Sequence, residues 1–166
     1  MDSTPDLSRR RLLRGGAGTG LPVQALPWTV SWAQFTDRCS RCGDCVNACP
    51  EHIIVNADGG FPAIDFTRGA CTFCGDCAMA CAEPLFHPET TPPWHQHVVF
   101  EHACLAYQGV HCRSCEDGCE PAAIRFSPRL GGLAVPELNK DACNGCGGCV
   151  AVCPVSAIGM VKEEQA

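Results

Sequence analysis

Apolar positions in this chain come in short runs separated by polar, glycine-containing turns. Ile53-Ile54-Val55 is followed by the polar stretch Asn56 to Gly60 and then by Phe61-Pro62-Ala63-Ile64. The same succession returns as Ala123-Ile124-Arg125-Phe126, Ser127 to Gly132, and Leu133-Ala134-Val135. Two short apolar runs around a Gly-rich turn predict a β-hairpin, so the pattern predicts one hairpin in each half of the chain. Trp28, Trp32 and Phe35 stand at i, i+4 and i+7, one face of a helix that Pro27 would start and that packs on the core. No stretch approaches the roughly 20 consecutive apolar residues that a membrane-spanning helix needs.

Each predicted hairpin lies between two dense groups of cysteines. The 166 residues hold 16 Cys, and three groups share one spacing: Cys39, Cys42, Cys45, Cys49; Cys71, Cys74, Cys77, Cys81; and Cys143, Cys146, Cys149, Cys153. Pro50 and Pro154 directly follow the first and last of these groups. In the remaining group Cys112, Cys115 and Cys119 keep the register, while Cys104 is displaced upstream. C-x2-C-x2-C-x3-C-P is the bacterial-ferredoxin run that holds [4Fe–4S] cubanes through thiolates. Three cysteines at this spacing wrap three corners of one cube, and the fourth crosses to the neighbouring cluster. The expected sets are therefore Cys39, Cys42, Cys45 with Cys81; Cys71, Cys74, Cys77 with Cys49; and Cys143, Cys146, Cys149 with Cys119. Cys104, Cys112, Cys115 and Cys153 are left for a fourth cluster. The competing reading of that set is a degenerate copy without metal.

Structural zinc takes two C-x2-C pairs separated by roughly 12–20 residues, a pattern these crowded groups do not follow. Disulfides need an oxidising compartment, and neighbours this close make poor bridging geometry. With seven Phe, three Trp and one Tyr against 17 Gly and 13 Pro, an ordinary apolar core would be thin, and cluster binding supplies folding energy. The duplication predicts a small, metal-stabilised α+β fold of two tandem bacterial-ferredoxin-like 2[4Fe–4S] units. The expected boundaries are a basic arm and short helix over 1–38, a first unit over 39–86, a linker over 87–103, a second unit over 104–160 and a tail over 161–166. The linker gathers His87, His95, His97 and His102, read as solvated or packing residues because sixteen thiolates saturate four cubes.

Charge divides the chain. Residues 1–38 carry five Arg against three Asp, and the remainder seven Lys and Arg against fifteen Asp and Glu. Each ligated cubane adds roughly two negative charges. The acidic body argues against nucleic acid and for a partner with a basic docking face. Arg9, Arg10, Arg11 and Arg14 form the arm's basic cluster, the candidate partner-binding residues. Ser8-Arg9-Arg10 also matches a twin-arginine export motif, but Gly18, Gly20, Pro22 and Pro27 interrupt the apolar segment behind it. Retention in the cytoplasm is the expectation, with periplasmic export as the alternative. Within the loops, Asp44 and Asp76 contrast with Arg113, so the Cys112 loop's cluster is expected to reduce most easily.

Three segments carry a family resemblance: Ser8-Arg9-Arg10, the stretch Cys104-Leu105-Ala106-Tyr107-Gln108 through Cys119-Glu120-Pro121, and Cys143-Asn144-Gly145-Cys146 through Cys153-Pro154-Val155-Ser156-Ala157-Ile158. With them the chain resembles the ferredoxin-type NapF family, encoded with periplasmic nitrate reductases. The resemblance implies a cytoplasmic accessory protein that contacts the catalytic subunit, a molybdopterin nitrate reductase with its own [4Fe–4S] cluster. It implies help in loading or reducing that cluster before export. An electron relay between a donor and a reductase is the alternative. The sequence shows no nucleophile–base pair and no nucleotide loop, so it is not read as a self-contained enzyme.

Overall fold

A computed structural model of the chain describes residues 24–130 and 132–162. The basic cluster Arg9, Arg10, Arg11 and Arg14 lies outside the described residues, so the reading of the arm meets no structural observation.

The first helix among the described residues, α1 (Trp32–Arg38), begins at Ser31, whose Oγ accepts the Gln34 N–H. Pro27 does not start it. Trp28 sits upstream in a turn with φ 59°; its N–H donates to the Pro93 carbonyl at 2.6 Å and its indole N–H to the Thr91 carbonyl at 2.9 Å. Ser31 offers the capping oxygen that Pro27 lacks, and Trp28 is buried where a helix surface would have exposed it. Phe35 does enter the core, whereas Trp32 stacks on it at 5.8 Å and stays 42% exposed.

Four further helices, each little more than one turn, rise from the cysteine loops: α2 (Asp44–Ala48), α3 (Asp76–Met79), α4 (Ser114–Asp117) and α5 (Gly148–Ala151). Helices this short are not stable alone. The hairpins form as predicted in kind, with shifted edges. Strands β1 (Ile54–Asn56) and β2 (Pro62–Ile64) pair Ile54 with Ile64. Strands β4 (Ile124–Ser127) and β5 (Val135–Leu138) pair Ile124 with Leu138. The fifth strand thus begins where the sequence pattern would end it. Pro136 is tolerated there because each sheet has two strands, and every strand is an edge.

Each unit is closed by pairing the segment before its first loop with the segment after its last. In the first unit Thr29 bridges Phe86, with Val30 N–H donating to the Leu85 carbonyl at 3.0 Å and His87 N–H to the Trp28 carbonyl at 2.7 Å. In the second, β3 (Gln96–Phe100) pairs antiparallel along its length with β6 (Ile158–Lys162). The segment read as a linker therefore carries the strand that closes the second unit, and His97 is buried within it. Hydrophobic alternation over five residues is too short to separate such a strand from a Pro-rich connector.

Two cores result. One gathers Leu26, Ile53, Ile54, Ile64 and Phe66; the other gathers Val98, Ile124 and Ile158. Val150 and Met160 pack against both, so the units share an apolar seam.

Candidate iron–sulfur sites

The loops bring the cysteines together in the crossed arrangement that the spacing predicts. Cys39, Cys42, Cys45 and Cys81 line one small cavity. Cys49, Cys71, Cys74 and Cys77 line a second. Cys104, Cys112, Cys115 and Cys153 line a third. The displaced Cys104 lies with Cys112, Cys115 and Cys153 around this cavity, carried there by the loop 105–111. Cys119, Cys143 and Cys146 in turn surround Cys149, whose thiol burial and then these neighbours push up to about 12.

Thiol energetics trace the same four sets. Burial, then Cys39, Cys81 and Cys42, raise Cys45 to about 11. Burial, then Cys71, Cys74, Cys45 and Cys49, raise Cys77 to about 12. Burial raises Cys115 to about 11, with Cys104, Cys112 and Cys153 adding repulsion. Such thiols hold their protons at neutral pH, and a bound cation that neutralises the clustered thiolates relieves both penalties. Among the described residues, no group of three or more His, Cys, Asp or Glu could hold a single metal ion. The sulfurs are instead spread around apolar cavities, which suits a body larger than one ion. The donor chemistry fits as well, since soft thiolates in fours are what Fe–S clusters take.

Backbone geometry at the crossing cysteines was not legible from the spacing. Three residues after Cys49, Cys119 and Cys153, the chain takes a positive φ at His52, Ala122 and Ser156. Each returns its N–H to the cysteine carbonyl, at 3.1, 2.9 and 3.3 Å. Pro84 occupies that place after Cys81; proline cannot take a positive φ, and the turn is made differently, through Leu85 N–H to the Glu83 carbonyl at 2.8 Å. In the second unit the next N–H reaches sulfur: Ala123 donates to Cys119 Sγ and Ala157 to Cys153 Sγ, both at 3.3 Å. Hydrogen bonds to cluster-ligating sulfur are one of the levers on potential.

Arg113 packs its guanidinium over Phe126 at 5.4 Å and pairs with Glu116 at 3.4 Å, so part of its charge is already answered. The first loop also carries an arginine. Arg41 lies between Cys39 and Cys42, donates to the Gly59 carbonyl at 3.1 Å and covers Phe61 at 5.1 Å. The contrast between a basic Cys112 loop and acidic Cys39 and Cys71 loops is therefore weaker than Asp44, Asp76 and Arg113 alone imply.

Comparison with known proteins follows the same division. Residues 38–86 and residues 110–157 each match a 4Fe-4S dicluster domain; Cys104 lies upstream of the second match. The fold and the paired sites define a tandem dicluster ferredoxin, an iron–sulfur protein of the electron-transfer class that carries [4Fe–4S] clusters. A ferredoxin-type protein NapF from Haemophilus influenzae is 48% identical over 170 residues, covering 96% of this chain and 97% of the relative. One from Escherichia coli K12 is 46% identical over 156 residues, covering 92% and 93%. A methylamine utilization ferredoxin-type protein MauM from Methylobacillus flagellatus is 29% identical, covering 92% of this chain and 74% of the relative. The chain belongs to the ferredoxin-type NapF family. No helix among the described residues is long and apolar enough to cross a membrane.

Proposed function

We propose that the sixteen cysteines hold four [4Fe–4S] clusters in the crossed sets described above. On this reading the loaded chain binds the catalytic subunit of a periplasmic molybdopterin nitrate reductase in the cytoplasm and assists maturation or reduction of that subunit's [4Fe–4S] centre before export. The observation that carries the reading is the near full-length likeness to proteins named ferredoxin-type NapF. Bound clusters supply one-electron storage and transfer. The chain's own residues supply thiolates, apolar walls such as Phe35, Phe86 and Phe100 beside them, and the Ala123 and Ala157 N–H groups that donate to Cys119 and Cys153. It acts as a binding and redox partner rather than as a self-contained catalyst.

Recognition is electrostatic in this account. The body beyond residue 38 is acidic, and Arg9, Arg10, Arg11 and Arg14 give the arm the opposite sign. Opposed patches of this kind steer a partner and fix its orientation. The deciding experiment is anaerobic co-purification with the cluster-free catalytic subunit. Capture that weakens with salt and on removal of residues 1–14 is the expected result; absence of any complex overturns the reading.

An electron relay is the second reading, and the direct hydrogen bond between loops of the two units favours it: Cys71 N–H to the Cys146 carbonyl at 2.8 Å. Iron distinguishes the two. A maturation factor loses iron to the cluster-free partner, whereas a relay keeps all of its iron through repeated reduction and oxidation.

A further inference from the structure

The loop Cys143–Cys149 is held along three consecutive carbonyls by the connector at Trp94, by Gln96 at the start of β3 and by Cys71 of the first unit. Asn144 O accepts the Trp94 indole N–H at 2.8 Å. Gly145 O accepts from the Gln96 side-chain amide at 3.2 Å. Cys146 O accepts the Cys71 N–H at 2.8 Å. Behind them Trp94 packs edge-on against Phe66 and Phe73 of the first unit, at 5.9 and 5.5 Å. Gln96 also meets Gln24, which is itself tied to Ile64.

The fit leaves no slack. A Cβ on Gly147 would stand 2.0 Å from Phe66 Cδ1, and one on Gly145 would stand 2.7 Å from both Trp94 Nε1 and Gln96 Cγ. Both glycines have positive φ, 79° and 70°. The position between the first two cysteines of the corresponding loops is filled by Arg41 and Phe73, at φ 59° and 57°, so the backbone shape does not itself demand glycine at 145. What excludes a side chain at 145 is Trp94 and Gln96, and at 147 it is the Phe66 ring of the first unit. A connector that only tethered two independent ferredoxin units would leave this loop facing solvent.

We propose that this three-carbonyl clamp is a positioning device that locks the Cys49/Cys71/Cys74/Cys77 site against the Cys119/Cys143/Cys146/Cys149 site, making the four sites one continuous series with these two at its centre. The inference rests on the ligand sets proposed above. The Cys39 set meets its partner set in the first unit through Cys45 beside Cys77, and the Cys104 set reaches the series through Cys115 beside Cys149. The outer sites are then the two ends of the chain of centres. With clusters held at these residues, the step served would be a one-electron hop in which one site loses the electron that its neighbour gains, with no bond or proton moved. Trp94, Gln96 and Phe66 set the separation and take no electron themselves.

The test isolates the inner pair by spectroscopy. In the full chain, Cys39→Ala with Cys42→Ala and Cys104→Ala with Cys112→Ala empties both ends and leaves about eight iron per chain, two cubes of four. After full reduction by dithionite or a europium(II) chelate, the expected electron paramagnetic resonance spectrum is broadened and split by coupling between the two spins. It should collapse to a simple signal at half reduction. Two magnetically isolated signals with eight iron overturn the inference. In that eight-iron variant Trp94→Phe with Gln96→Leu should keep about eight iron and narrow the interaction splitting, and an unchanged spectrum counts against the clamp. Should the unaltered chain bind only about twelve iron, the ligand sets fail; sixteen iron with uncoupled inner spins removes the junction alone.

Discussion

The two units are built to one plan from different materials. The first is closed by a single bridge, Thr29 to Phe86, and compensates with rings: Trp28 on Phe73, Phe35 on Phe86 and Phe66 on Trp94, at 6.3, 6.4 and 5.9 Å. The second is closed by the five-residue ladder β3–β6 and filled with aliphatic side chains around Val98, Ile124 and Ile158. A ladder fixes backbone directly, one bond after another. Aromatic packing fixes it through side-chain area and ring geometry, and is felt more when one ring is lost. The plan therefore demands closure around two cavities, and the means of closure is free to vary.

Iron removal separates the materials most sharply. Anaerobic chelation is expected to unfold both units, because the short helices and two-stranded sheets have little to hold them apart from ligand bonds. Hydrogen exchange during the loss checks the order: amides of residues 96–100 and 158–162 should exchange last, and those around residues 29 and 86 first. Equal rates would show that the ladder adds nothing to the second unit.

Core truncations come next. Phe35→Ala should cost about 3–5 kcal/mol and Ile124→Ala about 2–5 kcal/mol, read from chemical denaturation of the loaded protein. The first should bleach the Cys39-set absorbance before any other, since Phe35 lines that cavity. Bleaching that begins in the second unit instead would break the assignment of aromatic closure to the first.

Acidity gives a smaller effect with a definite sign. In the empty fold Cys77 and Cys149 are pushed up to about 12, and Cys45, Cys71 and Cys115 to about 11, by burial first. A thiol whose pKa is raised above its ordinary 9 contributes stability below that value, and the contribution is lost as pH rises through about 11–12. Loading needs thiolates, so cluster reconstitution should release protons and proceed further at pH 9 than at pH 7. Proton release measured in weakly buffered solution checks this, and loading that falls as pH rises contradicts it.

The least effect belongs to Arg113. Because it is paired with Glu116 and its side chain is 45% exposed, Arg113→Glu should lower the potential of the Cys112-loop cluster only slightly in a redox titration. A large shift would show that the pair is broken when a cluster is bound.

Much of this site was legible because the chemistry is local. Thiolate spacing defines a loop, the loop defines three corners of a cube, and the crossing of Cys81 or Cys153 to the partner loop follows from the two-cluster arrangement. The hairpins were legible in kind for the same reason, although β5 (Val135–Leu138) runs later than the apolar run implied. What the sequence hid was long-range. Trp28 reads as the start of a helix until the carbonyls of Thr91 and Pro93 are seen to claim its two N–H groups. Gln96 and Trp94 read as parts of a connector, because nothing local marks them as donors to residues 144 and 145. Arg41 stands beside Cys42 as plainly as Arg113 stands beside Cys112, and only its contacts with Gly59 and Phe61 needed the fold.

The central claim, that the displaced Cys104 completes a fourth thiolate set, is tested most directly by counting iron and acid-labile sulfide per chain in anaerobically purified protein. About sixteen iron in the unaltered chain and about twelve in Cys104→Ala is the predicted pair of values, from four cubes and three. About twelve in both would contradict it, leaving Cys112, Cys115 and Cys153 around a cavity that holds no cluster.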